Sequence, residues 1–196
     1  MTESSRAGRP RRSSADILAD AASELFLENG YAKTTVDQIA QRAGVSRATF
    51  FNYFGGKADL LWVDLDRSLE ALPGCLRAVP RGVPAREVAE ALTAVARAHD
   101  DSRVPWALTQ GETMRLGDDL VASGAARFVA HQAVIGTFVA ERLGLRPDDP
   151  QPRLVAATLL AAAGAATVAW ARAGIGRGEL ASHVAPAVDA VALGLG

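Results

Sequence analysis

The chain has 196 residues, of which 49% are hydrophobic, and a formal net charge of −1. This length and composition suffice for one domain or two small ones, and they exclude a largely disordered protein. The near-neutral total is less basic than is common for nucleic-acid-binding domains. The single cysteine, Cys75, excludes an internal disulfide, and the N-terminus contains no apolar signal segment, so we expect a cytoplasmic protein.

The first twelve residues are rich in arginine. Arg6, Arg9, Arg11 and Arg12 stand there against one acidic residue, Glu3. Because no apolar periodicity accompanies these charges, we expect residues 1–12 to form a flexible basic arm. Its arginines, and Arg9, Arg11 and Arg12 in particular, are suited to contact the phosphate groups of DNA.

The first of three helices predicted within residues 13–58 is amphipathic. Its apolar residues recur at intervals of three and four from Leu18 to Phe26. Ser13 and Asp16 are spaced as a capping box at its start, and Gly30 supplies a left-handed stop at its end.

The second and third helices are short and are separated by a tight turn. Thr35 and Gln38 form a second capping box, and Gly44 ends that helix. Ser46 then caps the third helix. Two helices joined by a glycine-containing turn are typical of a helix-turn-helix unit.

The segment GGK at residues 55–57 suggests a competing interpretation, a phosphate-binding loop of a nucleotide-using enzyme. The pattern GxxxxGK[ST] would require glycine at position 51 and serine or threonine at position 58. Phe51 and Ala58 occupy those positions, and a predicted helix rather than a strand precedes them. The sequence therefore argues against that loop.

The third predicted helix has two different faces. At about 100° per residue, Phe50 and Phe54 fall together, toward the first two helices. Ala48 and Asn52 fall on the opposite face, where small and polar groups suit the major groove of DNA. Arg47 lies in the first turn, from which it can reach guanine or phosphate.

Four segments together resemble the signature of the TetR family of transcriptional regulators. They are TTVDQIA at residues 34–40, AGVS at 43–46, TFFNYF at 49–54 and KADLL at 57–61. The resemblance runs from about Ile17 to Trp62. It implies an all-α homodimer, usually a repressor, with an N-terminal three-helix DNA-binding domain and a C-terminal helical domain for ligand binding and dimerisation.

The resemblance also implies roles for the matching positions. Thr35 and Lys57 are expected to contact phosphate. Phe51 stands where many members of the family have tyrosine, so a hydroxyl group directed at phosphate is missing there. The other contacts to DNA are expected from the third helix, which is the recognition helix, and from its flanks, at Ser46, Arg47, Ala48, Thr49, Phe51, Asn52 and Tyr53.

Residues 59–196 are predicted to form the C-terminal helical domain. The segment PGCLRAVPRGVP at residues 73–84 interrupts the helical pattern and predicts a connection. Further helices are predicted over 85–99, 105–116, 118–143, 152–174 and 180–193, with RPDDPQP and GIGRG as loops.

The large apolar residues after Pro105 leave two interpretations open. They are compatible with an ordinary packed core, and as a group they could line an apolar cavity with a few orienting polar groups. The resemblance favours a cavity, and the segment LLWVDLDRSLEAL at residues 60–72 is similar to a branch whose members respond to lipid-like or acyl thioester ligands. The residues assigned to ligand binding are Trp106, Gln110, Met114, Phe128, His131, Phe138 and Trp170.

The alanine-rich run from Leu154 to Ala171 is just long enough to suggest a membrane-spanning helix. Its modest hydrophobicity and its flanking arginines, without aromatic belts, favour a buried helix and no membrane partner. Small residues permit close approach of helices, so we predict a two-fold interface formed by Ala157, Ala161, Gly164, Ala165, Val184 and Val188.

The C-terminal part contains no catalytic pattern and no paired metal-ligand spacing, since His99, His131 and His183 lie far apart in the sequence. The sequence therefore predicts a repressor, without metal, cofactor or enzymatic activity, that a small and largely apolar ligand releases from a palindromic operator. One alternative stays open: a helical binding protein or enzyme whose N-terminal helices serve only for packing.

Overall fold

The computed structural model describes residues 14–110 and 117–195, which form helices and contain no strand. The predicted all-α fold is therefore confirmed. The chain divides into two compact units, the first ending at Leu60 and the second beginning at Leu61. The predictions for Arg9, Arg11, Arg12, Ser13 and Met114 fall outside the described residues.

The first unit contains helices α1 (Ser14–Asn29), α2 (Val36–Arg42) and α3 (Arg47–Phe51). Its helix ends follow the predicted caps. Thr35 and Gln38 form a complete capping box, and the Ser46 hydroxyl accepts a hydrogen bond from the Thr49 backbone N–H at 3.0 Å. Gly30 and Gly44 both have positive φ angles, 78° and 69°, which is the left-handed conformation that glycine adopts without strain.

The core of the first unit joins all three of its helices. Leu18 of α1, Ile39 of α2 and Phe50 of α3 have no solvent exposure. The ring centroids of Phe50 and Phe54 lie 5.6 Å apart, as their spacing predicted. Close packing of these side chains fixes which face of α3 remains outside.

A 3-10 helix (Lys57–Trp62) leads into the second unit, which contains the remaining helices. These are α4 (Val63–Leu69), α5 (Leu72–Ala78), α6 (Pro84–Arg97), α7 (Trp106–Thr109), α8 (Gly117–Leu143), α9 (Pro150–Arg172), a short 3-10 helix (Gly174–Gly176) and α10 (Leu180–Gly194).

Two predicted boundaries were wrong. The connection predicted at residues 73–84 instead contains α5, because Pro73 stands in the first turn of that helix, where its missing N–H has no intrahelical partner to lose. Leu72 and Leu76 then bury one face of α5. The helix predicted from residue 105 is short, since α7 has Gln110 as its C-terminal cap.

The core of the second unit is built on α6, α8, α9 and α10. Val88, Ile135, Leu159 and Val188, one from each helix, are fully buried there. Trp170 is also fully buried, and its indole N–H donates to the Gly178 carbonyl oxygen at 2.9 Å.

A buried ion pair also ties α6 to α8. Glu87 is 3% exposed, and its carboxylate accepts from Arg142 Nε at 2.6 Å and from the Gly82 backbone N–H at 2.6 Å. The Arg142 guanidinium lies 4.6 Å from the ring centroid of Phe138. Both carboxylate oxygens of Glu87 therefore have a hydrogen-bond donor, as a buried charge requires.

Candidate DNA-binding surface and ligand cavity

The outer face of α3 is small, polar and aromatic. Ala48 and Asn52 are exposed there, as predicted, and Asn52 is the C-terminal cap of the helix. Phe51 and Tyr53 are 46% and 51% exposed, although large aromatic side chains usually lie inside a domain. This surface has the character of one that a partner covers.

Arg47 is held on this surface by an acidic neighbour. Its Nη1 donates to Asp37 Oδ1 of α2 at 2.7 Å, and its guanidinium lies 5.4 Å from the ring centroid of Phe51. The side chains of Arg47 and Asp37 are 61% and 65% exposed. An exposed pair of this kind contributes about 1 kcal/mol or less, so phosphate or a base can displace the carboxylate.

Lys57 has a structural role that its sequence position did not reveal. Its ammonium group donates to the backbone carbonyl oxygens of Tyr31 at 2.8 Å and Thr34 at 3.1 Å. It also lies 4.0 Å from the ring centroid of Tyr31. Lys57 thus fixes the loop between α1 and α2, whether or not it also contacts phosphate.

The hydroxyl groups of Thr35 and Ser46 cap helices. Thr35 Oγ1 accepts from the Gln38 backbone N–H at 3.2 Å and lies 3.2 Å from Gln38 Oε1, an acceptor. Its hydroxyl hydrogen therefore points to Gln38 and would have to rotate to reach phosphate. The Ser46 hydroxyl has a similar second contact, with the Thr49 hydroxyl at 2.9 Å.

Arg42 links α1 and α2 on the same unit. It donates to Glu24 at 3.1 Å and to both carboxylate oxygens of Glu28. The hydrogen bonds that Arg42 donates to Glu28 lower the pKa of Glu28 and raise the pKa of Arg42. The Glu28 contribution to stability is therefore present above its unfolded pKa and is lost as the pH falls through the lowered value.

The second unit contains a cavity of about 250 Å³ with an almost wholly apolar wall. Residues of α4, α6, α7, α8, α9 and α10 line it, with Leu108 from α7 and Trp62 from the end of the 3-10 helix. The lining residues include Trp62, Leu65, Ser68, Leu69, Leu92, Val95, Gly124, Arg127, Phe128, Leu160, Thr167 and Val184.

Of the described residues predicted to bind ligand, Phe128 alone lines this cavity. Trp170 is fully buried in the core, where its ring packs against His99 at a centroid distance of 5.3 Å, and it does not line this cavity. Trp106, Gln110, His131 and Phe138 also lie outside the wall. The cavity draws instead on α4 and α6, whose aliphatic residues have the same pattern as those of any core helix.

The residues predicted for the dimer interface divide into two groups. Val184 and Val188 are 3% and 0% exposed inside their own chain, so they have no surface to offer a partner and that assignment was wrong. Ala161, Gly164 and Ala165 are exposed on α9, and Ala157 is partly buried. Gly164 and Val184 also line the cavity.

Helix α9 is long and apolar enough to cross a membrane by length and composition. Its buried residues, among them Val155, Leu159 and Trp170, pack into the core of the second unit. A core helix of a water-soluble protein meets the same criteria, so α9 is weak evidence for a membrane partner. Among the described residues, no group of three or more side chains is arranged to hold a metal ion.

Two family models match separate parts of the chain. Residues 18–61 match the bacterial regulatory proteins of the tetR family, and residues 83–196 match the MftR C-terminal domain. The first match contains the capped helices α2 and α3, and the second contains α6 to α10.

Two relatives with known names are transcriptional regulators. The chain is 30% identical over 172 residues to the transcriptional regulator MftR of Mycobacterium tuberculosis, whose name links it to mycofactocin biosynthesis; this covers 88% of this chain and 87% of that protein. It is 31% identical over 170 residues to the HTH-type transcriptional regulator TcmR of Streptomyces glaucescens, over 83% and 75% of the two chains.

A solved structure shows the same fold. The TetR-family repressor FadR of Thermus thermophilus, in complex with lauroyl-CoA, superposes with a TM-score of 0.56 at 25% identity, over 91% of this chain and 93% of that one. The capped helix α3, the helical second unit and the family matches all agree. The chain therefore belongs to the TetR family of transcriptional regulators, with a C-terminal domain of the MftR type.

Proposed function

We propose that the protein is a repressor that binds a palindromic operator as a homodimer and leaves it when a small, largely apolar ligand binds. The observation that supports ligand binding is the cavity, because an apolar cavity between helices is suited to hold an apolar molecule. A regulator of this kind needs no catalytic group, metal or cofactor. Its place of action is the cytoplasm, where the DNA is.

The DNA half rests on the exposed face of α3. Asn52 offers an amide that can pair with an adenine edge, and exposed Ala48 lets the helix approach the groove. A two-fold dimer would present two such helices to successive major grooves, about 34 Å apart, so the operator would be an inverted repeat. The exposed small residues Ala161 and Ala165 make α9 the favoured interface.

The cavity limits the part of the ligand that it can enclose. Its volume of about 250 Å³ lies just below the roughly 300–1,000 Å³ that is typical of small-molecule pockets. It therefore suits a small apolar compound or the hydrocarbon segment of a larger one. The lauroyl-CoA bound by the Thermus thermophilus relative makes an acyl thioester the first candidate to test.

The test is operator binding with and without that probe. Fluorescence anisotropy would measure the affinity for DNA from upstream of the protein's own gene, against random DNA of the same length. We expect selective binding that lauroyl-CoA weakens and free coenzyme A does not. Equal affinity for both DNAs would contradict the regulator proposal, and selective binding that neither lauroyl-CoA nor a panel of apolar compounds alters would contradict the ligand proposal.

A further inference from the structure

Helix α4 has no fully buried residue, and beside the partly buried Leu69, which packs against the core, its contacts to its own unit include several polar ones. Asp64 accepts a hydrogen bond from Arg103 at 3.3 Å. Asp66 accepts two from Arg127, from Nε at 2.8 Å and from Nη2 at 2.7 Å. Because no side chain of α4 belongs to the fully buried core, α4 can leave this position at a lower free-energy cost than a helix such as α6.

The first half of α8, like α4, has no fully buried side chain among its described residues. Of the described side chains from residue 118 to 130, those at 120, 123, 124 and 127 are partly buried and the others are exposed. These positions form one stripe along the helix. Three of them, Ser123, Gly124 and Arg127, contact Trp62.

Three contacts hold the Trp62 indole on α8. The indole N–H donates to Ser123 Oγ at 2.8 Å, and the Arg127 guanidinium lies 5.4 Å from the ring centroid. The ring also lies directly against the backbone at Gly124, where an added Cβ atom would stand 3.2 Å from Cζ2 and 3.4 Å from Cη2 of Trp62. Glycine inside a helix costs about 1 kcal/mol relative to alanine. At Gly124 this cost is offset by the close approach of the Trp62 ring, for which a side chain would leave too little room.

Trp62 is also part of the cavity wall and is 9% exposed. It stands at the end of the 3-10 helix that begins at Lys57, while the first unit ends at Leu60. A ligand in the cavity thus touches a side chain that is two residues along the chain from the DNA-binding unit.

We propose that Trp62 is the residue that couples the cavity to operator affinity. When the ring is held against Ser123 and Gly124, in what we call the latch, the protein is competent to bind its operator. A ligand that displaces the ring from this position selects the conformation that releases DNA. This inference rests on the proposed function above. The inference goes beyond the proposed function because it assigns the coupling to one side chain, Trp62, and to its contacts on α8.

Thermodynamic linkage separates this role from a merely structural one. If weakening the latch shifts the population toward the released conformation, operator affinity falls and ligand affinity rises, because the ligand then spends less of its binding free energy on the shift. A variant that is merely destabilised loses affinity for both operator and ligand.

The experiment uses the full chain with Ser123→Ala, which removes the hydrogen-bond acceptor of the indole. We expect operator affinity to fall by about tenfold and the affinity for lauroyl-CoA to rise, as allosteric couplings of roughly 5- to 150-fold allow. Gly124→Ala should also lower operator affinity, because its Cβ, 3.2 Å from Cζ2 of Trp62, pushes the ring away from the helix by a few tenths of an ångström. Gly136→Ala on the same helix is the matched control, since its Cβ would meet only the Pro147 carbonyl oxygen at 3.9 Å, an ordinary contact.

Tryptophan emission gives a readout that needs neither DNA nor ligand. The difference spectrum between the protein and Trp62→Phe isolates the emission of Trp62, which should shift to the red in Gly124→Ala and not in Gly136→Ala. Unchanged operator affinity in both Ser123→Ala and Gly124→Ala, with the emission shifted, would overturn the proposal. So would a parallel loss of both affinities in Ser123→Ala. Failure of the unmodified protein to bind operator would instead contradict the proposed function, while the emission result would still stand.

Discussion

Arg47 of α3 donates a 2.7 Å hydrogen bond to Asp37 of α2, so an acidic side chain offsets the charge of a cation on the exposed recognition surface. Both side chains are largely exposed. Binding of DNA would have to exchange this carboxylate for phosphate or a base edge. Asp37 therefore limits how strongly Arg47 attracts any DNA, whatever its sequence.

Asp37→Asn should raise the affinity for operator and for random DNA. The freed Arg47 adds about one phosphate contact, so the plot of log affinity against log salt should become steeper by about one unit. A salt series by fluorescence anisotropy measures this slope. Asp189→Asn, an exposed position in the second unit, removes the same charge; an equal gain there would mean that bulk charge, not Arg47, is responsible.

Asn52→Ala should reduce operator affinity and leave random-DNA affinity unchanged. A side-chain amide that pairs with adenine contributes about 1–3 kcal/mol of discrimination. Tyr53→Phe, which removes a hydroxyl group expected to position the backbone, should instead weaken both equally. Binding isotherms on both DNAs decide the matter, and an equal loss in Asn52→Ala would show that its assigned role is mistaken.

Lys57→Met should destabilise the first unit as well as weaken DNA binding. It removes two hydrogen bonds from a charged donor to the Tyr31 and Thr34 carbonyl groups, a loss of about 2 kcal/mol. Urea unfolding followed by circular dichroism measures the change. Lys33→Met is the control because Lys33 is exposed. Equal stability of the two variants would contradict the structural role assigned to Lys57.

Phe128→Ala should change the response to ligand, whereas Trp106→Ala should not. The two side chains are both large and aromatic, but only Phe128 belongs to the described cavity wall. Titration of lauroyl-CoA against the operator complex gives the concentration needed for release. A shift caused by Trp106→Ala alone would place the functional ligand somewhere other than this cavity.

Glu87→Ala should lower the free energy of unfolding by about 3 kcal/mol, because it leaves Arg142 largely buried without its partner. The double variant Glu87→Leu with Arg142→Met should recover most of this loss, since apolar side chains of similar size can replace a buried pair. Thermal unfolding of both variants provides the comparison. If the single and the double variant are equally destabilised, the loss comes from altered packing rather than from the unpaired charge of Arg142.

The features that sequence could predict are local ones. A cap joins residues three apart, as Thr35 and Gln38 do, and a helix stop depends on one residue, such as Gly44. These features, with the family motifs, were enough to locate the recognition helix and the all-α fold. Pro73 misled the prediction because proline both interrupts helices and begins them.

The cavity could not be predicted because its contacts are distant in sequence. Trp62 and Arg127 both lie in the cavity wall and contact each other across more than sixty residues of sequence. Nothing in the local pattern distinguishes Leu92, in the cavity wall, from Val88, in the packed core. Only the packing of several helices decides which aliphatic residues face an empty volume.

The shallow attachment of α4 has a consequence for hydrogen exchange. Since none of its side chains is fully buried, while α6 buries Val88, Ala91 and Leu92, the amide protons of α4 should exchange through a local opening that requires less free energy than opening α6. Deuterium would then enter α4 before α6 in the free protein. A bound molecule would be visible as a change in the exchange rate of this one helix, even when its chemical identity is unknown.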